Sequence, residues 1–448
     1  MKKIILGLGF FAALLLGAAT LLGLSPSYIA AAPSVATGIG AKLLCSARYV
    51  SQFSEQQAFD DLVQYSSILE YLRIEYDENN KSVQTSLFGL SPTTAYYIDG
   101  LGCANRYPRE QRAPLQAQTP PENPAPWPRG NAVNALDSEL MALVQSQLSI
   151  DNSAGLNTRA LVVAQHGKIV AEVYGQGAGP DTPLLGWSMA KSVMSLMIGN
   201  LEYRGLIDSE QTALFSQWEN DTRAQITLTH LLQMSDGLDF SEQYNPGDDA
   251  TAMLFTQASA SDYVLAKPLA RPPGEHFNYS SGTANLLSRL YYEHTGANLQ
   301  ASYDDYLRNI AAPLGFQHTV FETDASGVFV GSSYLYASGR DWARVGQLML
   351  NNGVINRERL VSTQWVSQST QSNQTMNNKA YGYQWWLNSG NEQLRWPDLP
   401  ADSFAAQGNR QQNMIIIPSK DMVIVRLGWT SGRYPLNERF AQIMKALE

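Results

Sequence analysis

The stretch GWSMAKSVMSL, residues 186–196, places a serine and a lysine three positions apart in an apolar segment. Residues i and i+3 lie on one face of a helix, so the Ser188 hydroxyl and the Lys191 amine are predicted to lie within hydrogen-bonding distance. A serine beside a base is a nucleophile for acyl transfer. Ser-x-x-Lys is a short pattern that also occurs by chance. The alternative interpretation of these residues is a capped helix with a solvated lysine. The apolar neighbours disfavour that alternative.

A helix is predicted to continue from Ser188 and to end near Gly205, with Arg204 in its last turn. Its apolar stripe comprises Val193, Leu196, Met197 and Leu201. Ser188 then lies at the amino end, where unpaired backbone N–H groups and the helix dipole favour negative charge. This position suits both an ionised serine and the oxyanion that its attack generates.

In the sequence, segments with strand patterns precede and follow this predicted helix. Residues 160–175, ALVVAQHGKIVAEVYG, are predicted to form a β-hairpin that turns at His166 and Gly167, and residues 413–428, NMIIIPSKDMVIVRLG, a second hairpin. Helical spacing is present at 135–148 and 436–448. Strands at both ends, with helical sequence between them, predict one antiparallel sheet that joins the two ends of the domain and is flanked by helices. The predicted fold class is α/β of the α+β kind.

The composition is that of a folded globular protein of 448 residues, with 44% hydrophobic residues, 16% charged residues and a net charge of −9. No cluster of Lys or Arg provides a basic face, which excludes nucleic acid as a partner. The five histidines are His166, His230, His276, His294 and His318. They show no metal-ligand spacing, so neither a metal nor a cofactor is predicted.

The amino terminus predicts export. Lys2 and Lys3 precede an uncharged apolar run of 21 residues, Ile4–Leu24. Such a run is long enough to span a bilayer, and Pro33 weakens the candidate cleavage stretch YIAAAPS, so an uncleaved anchor is favoured over a cleaved signal peptide. Positive charge before the run keeps that end in the cytoplasm and places the remainder outside, at the periplasmic face of the inner membrane.

The chain is predicted to have three parts after residues 1–24. Residues 25–112 form a small region with strands in 73–88 and 95–99, too small to bury a core alone. Its two cysteines, Cys45 and Cys103, are predicted to form a disulfide; two buried free thiols are the alternative, and a metal site is disfavoured. Residues 113–131 contain six prolines and are predicted to be a linker, followed by the main domain, 132–448.

Three motifs in the main domain resemble those of the serine β-lactamase and penicillin-binding-protein superfamily, in the same order. They are SMAKS (188–192), FNYSSG (277–282) and AAQGNRQQ (405–412), and supporting stretches are LTHLLQMSDGLDF, YASGRDWARVGQLMLNNG and YGYQWWL. The chain is most similar to the class C-like branch of esterases and 6-aminohexanoate-dimer hydrolases. This resemblance covers roughly residues 130–448 and implies a β-lactamase/transpeptidase-like fold with an added helical domain.

The resemblance implies that Ser188 is the acylated nucleophile, Lys191 its partner in proton transfer and Tyr279 a second acid/base group near the leaving atom. Ser281 completes the hydrogen-bond network. Independently of the resemblance, a lysine acts as a base only when its pKa is lowered, and burial lowers the pKa of a lysine. A tyrosine next to the Lys191 ammonium is expected to ionise more easily.

The third motif departs from the family pattern, because Ala406 stands where relatives carry a Lys or His that grips a β-lactam carboxylate. Arg410 is close enough in sequence to replace that cation. Gly408 is interpreted as a close approach of backbone to substrate, and the Asn409 N–H as a second oxyanion donor. Trp187, Trp385 and Trp386 are interpreted either as walls of the acyl pocket or as core residues.

The sequence thus predicts an exported serine hydrolase that cleaves small esters or amides through a Ser188 acyl-enzyme, with β-lactams as poor substrates. Two alternatives stay open. A catalytically silent relative would bind a cell-wall peptide or related ligand without turnover, and an envelope protein with relic motifs would do neither. Oligomeric state is not predicted.

Overall fold

The computed structural model describes residues 25–107, 115–118, 122–134 and 136–447. The apolar run Ile4–Leu24 lies outside these residues. The N-terminal region contains the helices α1 (Pro26–Tyr49) and α2 (Glu55–Val63), followed by β1 (Leu72–Asp77), β2 (Ser82–Leu87), β3 (Leu90–Ile98) and β4 (Gly102–Asn105). Its four strands form one antiparallel sheet in chain order.

The C-terminal domain has more elements. Its first part comprises α3 (Ser138–Ser153), β5 (Thr158–Gln165), β6 (Lys168–Tyr174), β7 (Leu184–Leu185), α4 (Ala190–Tyr203), α5 (Leu228–Leu232), α6 (Asp249–Thr256), α7 (Ala260–Leu265), α8 (Ser281–His294), α9 (Leu299–Tyr306) and α10 (Ala312–Leu314). The remainder comprises β8 (Thr319–Phe321), β9 (Leu335–Ala337), α11 (Gly339–Leu350), β10 (Val354–Ile355), β11 (Glu358–Arg359), α12 (Thr363–Ser369), β12 (Trp386–Leu387), β13 (Phe404–Gly408), β14 (Gln412–Ile417), β15 (Met422–Gly428) and α13 (Leu436–Lys445).

The central sheet has six antiparallel strands in the order β12-β13-β14-β15-β5-β6. The two predicted hairpins are β5–β6 and β14–β15, and β15 pairs with β5, with Ile424 opposite Val163. Apolar side chains of α3 and α13 cover one face, and the larger core with α4 and α11 covers the other. The predicted α+β fold, with a sheet built from both ends of the domain, is confirmed.

The N-terminal region buries its apolar surface against the C-terminal domain. Helix α1 packs on β2 and β3 and also on α6. Lys42 of α1 forms a buried ion pair with Glu322, whose other oxygen accepts hydrogen bonds from Ser46 Oγ and from the Cys103 N–H, each at 2.7 Å. Cys45 is bonded to Cys103, which ties α1 to β4. The two parts therefore share one core.

Helix α1 is the one helix, within the residues described, that is long and apolar enough to cross a membrane. Most of its apolar window, 61%, is buried inside the protein, as in the core helix of a globular protein.

The described part of the proline-rich segment is fixed on the C-terminal domain. The Trp127 indole is buried and donates to the Arg340 carbonyl at 3.2 Å. Arg344 donates to the Pro128 carbonyl at 2.8 Å and also to the Gly130 carbonyl. Proline explains the absence of regular structure here, while these contacts hold the segment in place.

Candidate active site

Trp187, directly before the first motif, has a left-handed backbone conformation. Trp187 has φ of 48°, Trp187–Met189 forms a single 3₁₀ turn, and α4 starts at Ala190, so Ser188 lies just before the helix. A left-handed non-glycine residue costs on the order of 1–3 kcal/mol and requires tertiary support. The Trp187 ring packs against Tyr65, Tyr334 and Trp429, with centroid separations of 6.1, 6.1 and 6.4 Å. This packing supports the turn that carries Ser188.

Lys191 is the centre of the site. Its Nζ lies 2.9 Å from Ser188 Oγ, 3.1 Å from Ser281 Oγ and 3.0 Å from the Ser332 carbonyl oxygen. Its side chain is almost fully buried, at 1% exposure. Burial lowers the pKa of Lys191 to about 8, and the charge of Glu242 partly opposes that shift. A neutral amine in contact with a serine hydroxyl is therefore accessible near physiological pH.

Tyr279 lies beside this pair, with its ring centroid 4.8 Å from Lys191 Nζ. Burial raises the pKa of Tyr279, and a hydrogen bond with Ser188 only partly opposes the increase. The expectation that Tyr279 ionises more easily is wrong, because desolvation of the phenolate and the charge of Glu242 both raise its pKa. Tyr279 is therefore a neutral phenol, suited to donate a proton.

Glu242 joins the site without any signal in the sequence. Its two carboxylate oxygens accept from Ser281 N and Ser281 Oγ, both at 2.6 Å, and it also accepts from Tyr244 OH at 2.8 Å. Ser281 therefore bridges Glu242 and Lys191. The polar loop that carries Glu242 follows the supporting stretch 228–240, and nothing in its composition distinguishes this carboxylate from its acidic neighbours.

The third motif lies beside the first. A Cβ added to Gly408 would lie 2.1 Å from the Gly186 carbonyl oxygen, so glycine is required by an approach of backbone to backbone. The contact brings the neighbouring Asn409 next to the turn that carries Ser188. Ala406, two residues earlier, faces the same side of β13 and is 1% exposed within the core.

The Arg410 side chain packs against another part of the protein and does not extend into solvent. Its guanidinium carbon lies 3.9 Å from the ring centroid of Tyr65 in the N-terminal region, and the residue is 9% exposed. The position of the missing family cation is thus apolar, and the neighbouring arginine is engaged with another part of the molecule.

Aromatic residues form one wall next to Tyr279. Trp386 stacks on Tyr279 with centroids 5.1 Å apart and an interplanar angle of 22°. Tyr381 meets Trp386 edge to face at 4.8 Å. Trp187 and Trp385 are buried in the core, so of the three tryptophans considered only Trp386 lies at the site.

The described residues contain no group of three His, Cys, Asp or Glu side chains that could hold a metal ion. The groups brought together here, a serine hydroxyl, a buried amine and a phenol, instead support nucleophilic acyl transfer. The beta-lactamase family model matches residues 135–446, a span that includes all of them. The chain belongs to the beta-lactamase family.

The beta-lactamase domain has a curated relative of known name. A 6-aminohexanoate-dimer hydrolase of Paenarthrobacter ureafaciens is 27% identical over 294 residues, which cover 60% of this chain and 72% of that protein. Together with the family match, this identifies the chain as a serine hydrolase of the beta-lactamase and esterase type.

Solved structures share the fold of the beta-lactamase domain. A penicillin-binding-protein homologue from Caulobacter crescentus has a TM-score of 0.56 at 15% identity and covers 71% of this chain and 100% of its own. A family VIII carboxylesterase has a TM-score of 0.54 at 14% identity, with coverages of 71% and 100%. A Bacillus anthracis protein, provisionally named a 6-aminohexanoate-dimer hydrolase, has a TM-score of 0.57 at 19% identity and coverages of 87% and 93%.

Proposed function

We propose that the protein hydrolyses small esters or amides through a covalent acyl-enzyme on Ser188. The observation that carries the proposal is the contact of Ser188 Oγ with the buried Lys191 amine at 2.9 Å. The name of the Paenarthrobacter relative and the fold shared with a carboxylesterase support small amides and esters as the substrate class.

In the first half-reaction, neutral Lys191 accepts the Ser188 hydroxyl proton while Ser188 Oγ bonds to the substrate carbonyl carbon. Backbone N–H groups of Ser188 and Asn409 stabilise the oxyanion. The bond from carbon to the leaving oxygen or nitrogen then breaks, and Tyr279 donates a proton to the leaving atom. Lys191 returns a proton to Tyr279, which leaves both groups neutral.

In the second half-reaction, water attacks the acyl carbon with Lys191 as the base. The bond to Ser188 Oγ breaks, the acid product forms, and the serine recovers its proton. Glu242 acts through Ser281, which it holds in hydrogen-bonding distance of Lys191. Glu242 is therefore a positioning residue.

A fluorophosphonate probe tests the nucleophile. We expect mass spectrometry to locate the adduct on the peptide containing SMAKS, and we expect Ser188→Ala to lose both labelling and hydrolysis of p-nitrophenyl acetate. Ser216→Ala, at an exposed serine, is the matched control. An adduct on another residue, or activity retained by Ser188→Ala, would contradict the proposal.

The altered third motif favours a second candidate, a protein that binds a ligand and becomes acylated without turnover. On that strand this chain has Ala406 in place of the cation with which relatives bind the substrate carboxylate. Stoichiometric labelling of Ser188 with no steady-state release of p-nitrophenol would identify this case.

We further propose that the enzyme works outside the cytoplasm, held by its N-terminal segment. The charged start and the apolar run Ile4–Leu24 support export, as does the bond between Cys45 and Cys103. Protease treatment of spheroplasts should digest the protein, and carbonate washing should leave it in the membrane. Protection from the protease would contradict export.

A further inference from the structure

The loop between β12 and β13, residues 388–403, presents a cation at the aromatic wall. The guanidinium carbon of Arg395 lies 4.4 Å from the ring centroid of Trp386. The opposite side of the same loop is fixed by the buried amide of Asn388, which donates to the carbonyls of Trp396, Leu399 and Pro400. The Arg395 N–H donates to the Asn388 carbonyl at 2.9 Å. Arg395 therefore lies on a loop that these hydrogen bonds hold in place.

Trp386 connects Arg395 to the proposed catalytic residues. It contacts the guanidinium of Arg395 and also stacks on Tyr279, whose ring lies beside the Lys191 amine. The cation and the phenol that we assign to the leaving atom therefore contact the same indole ring.

Arg395 has no carboxylate partner among the residues described; its side-chain contacts are the rings of Trp386 and Trp396. Arg340 and Arg344, by contrast, are largely buried and are paired with Glu172 and Asp341. Arg395 is exposed, and an arginine keeps its charge in proteins. Its planar fork of N–H donors matches a carboxylate.

We propose that Arg395 binds a carboxylate on the leaving-group part of the substrate. The inference rests on the proposed hydrolysis at Ser188 and assigns to this loop the anion recognition that Ala406 has removed from β13. Arg410 is less suited, because it is stacked on Tyr65 and largely buried. The preferred substrates are therefore esters or amides whose alcohol or amine product is an anion.

A matched pair of esters tests the proposal: 4-acetoxybenzoate, with an anionic leaving group, and 4-acetoxybenzamide, its neutral analogue. Each kcat/KM is divided by the rate constant of hydroxide-catalysed hydrolysis, which corrects for leaving-group reactivity. Because Arg395 is partly exposed, we expect a preference for the anion of about fivefold rather than the larger ratio of a buried pair. The preference should shrink in 0.5 M NaCl, since salt screens an exposed pair.

Arg395→Gln should abolish the preference, chiefly by raising KM for the anionic ester, and Arg395→Lys should retain part of it. Arg73→Gln, at an exposed arginine of β1, is the matched control and should keep the wild-type ratio. A wild-type ratio at or below one, or a ratio unchanged in Arg395→Gln, would overturn the proposal while hydrolysis of both esters still proceeds. Failure to hydrolyse either ester would instead overturn the proposed function.

Discussion

The first and third motifs lie side by side but differ in how much family chemistry they retain. The first has its serine and a buried lysine in direct contact, and the hydroxyl of Ser281 from the second motif also contacts the lysine. The third keeps the glycine that lets β13 approach Gly186, while the cation position is the buried Ala406. The comparison shows that the contacts among Ser188, Lys191 and Ser281, which we propose for proton transfer, are kept where the cation that anchors substrate in relatives is absent.

The largest effect is expected at the first motif. Lys191→Arg should lower kcat/KM by about 10²- to 10⁴-fold, because a guanidinium does not deprotonate and cannot accept the Ser188 proton. Lys168→Arg, at an exposed lysine of β6, is the matched control. Near-normal rates for p-nitrophenyl acetate in Lys191→Arg would place the base elsewhere and remove the basis of the comparison.

The pH profile examines the same group without a mutation. Neutral Lys191 is the active form, so kcat/KM should rise with pH through a midpoint of about 8 and fall as the amine becomes protonated below it. The profile is recorded with an ester that carries no titratable group. A rate that is flat from pH 6.5 to 9.5 would contradict a lysine base.

An intermediate effect is expected at the third motif. Losing a charge-assisted hydrogen bond to the substrate carboxylate costs about 1.5–3 kcal/mol, or roughly 10- to 150-fold in kcat/KM. Nitrocefin should therefore be a poor substrate relative to p-nitrophenyl butyrate, with Ser188→Ala as the blank, because the preference of about fivefold expected from the exposed Arg395 does not offset this loss. If nitrocefin were turned over far faster than every ester and amide, a cation outside position 406 would bind its carboxylate, and Arg395, before the stacked Arg410, would be the residue to examine.

A smaller effect is expected at Glu242. Glu242→Gln keeps a hydrogen-bond acceptor for Ser281 but removes the negative charge that raises the pKa of Lys191. The midpoint of the pH profile should move to lower pH, and kcat/KM at pH 9 should fall by about tenfold or less, the equivalent of one charged hydrogen bond of about 1.5 kcal/mol. Glu210→Gln serves as the control. A midpoint that stays fixed would show that Glu242 has only a structural role.

The smallest effect on activity is expected in the N-terminal region, whose Tyr65 packs against Arg410. Replacing both Cys45 and Cys103 by serine opens a loop with a sequence separation of 58 residues, which chain-entropy estimates value at about 4 kcal/mol of unfolding free energy. Denaturant unfolding should show this loss while kcat/KM per folded molecule stays within about twofold. Non-reducing peptide mapping of the wild type should find the bridge; two freely alkylated thiols in protein from an oxidising compartment would contradict it.

Local sequence patterns predicted those parts of the fold in which neighbouring residues decide the structure. Alternation and turn residues predicted both hairpins, and motif order placed Ser188, Lys191 and Ser281 together. The helix was predicted to begin at Ser188 but begins two residues later, at Ala190, because periodicity does not reveal the left-handed Trp187. Its aromatic packing is supplied by distant parts of the chain.

The rest of the site depends on loops fixed by remote contacts. Glu242 reaches Ser281 across 39 positions of sequence, and the Arg395 loop is shaped by the buried amide of Asn388. Neither loop has a periodic pattern from which a contact could be deduced. Likewise, six prolines predicted a linker but not the hydrogen bonds that fix its described part on the domain.

The pairing of β15 with β5 also determines when a newly made chain can become an enzyme. Translation delivers β5, β6 and the Ser188 turn first, whereas β13, β14 and β15 emerge only after all the helices between them. Until then β5 lacks its partner and presents an unpaired edge, a site for aggregation. The high contact order of this closure favours slow folding, so a chain released before residue 428 would carry its nucleophile without the strand that completes the sheet beside it.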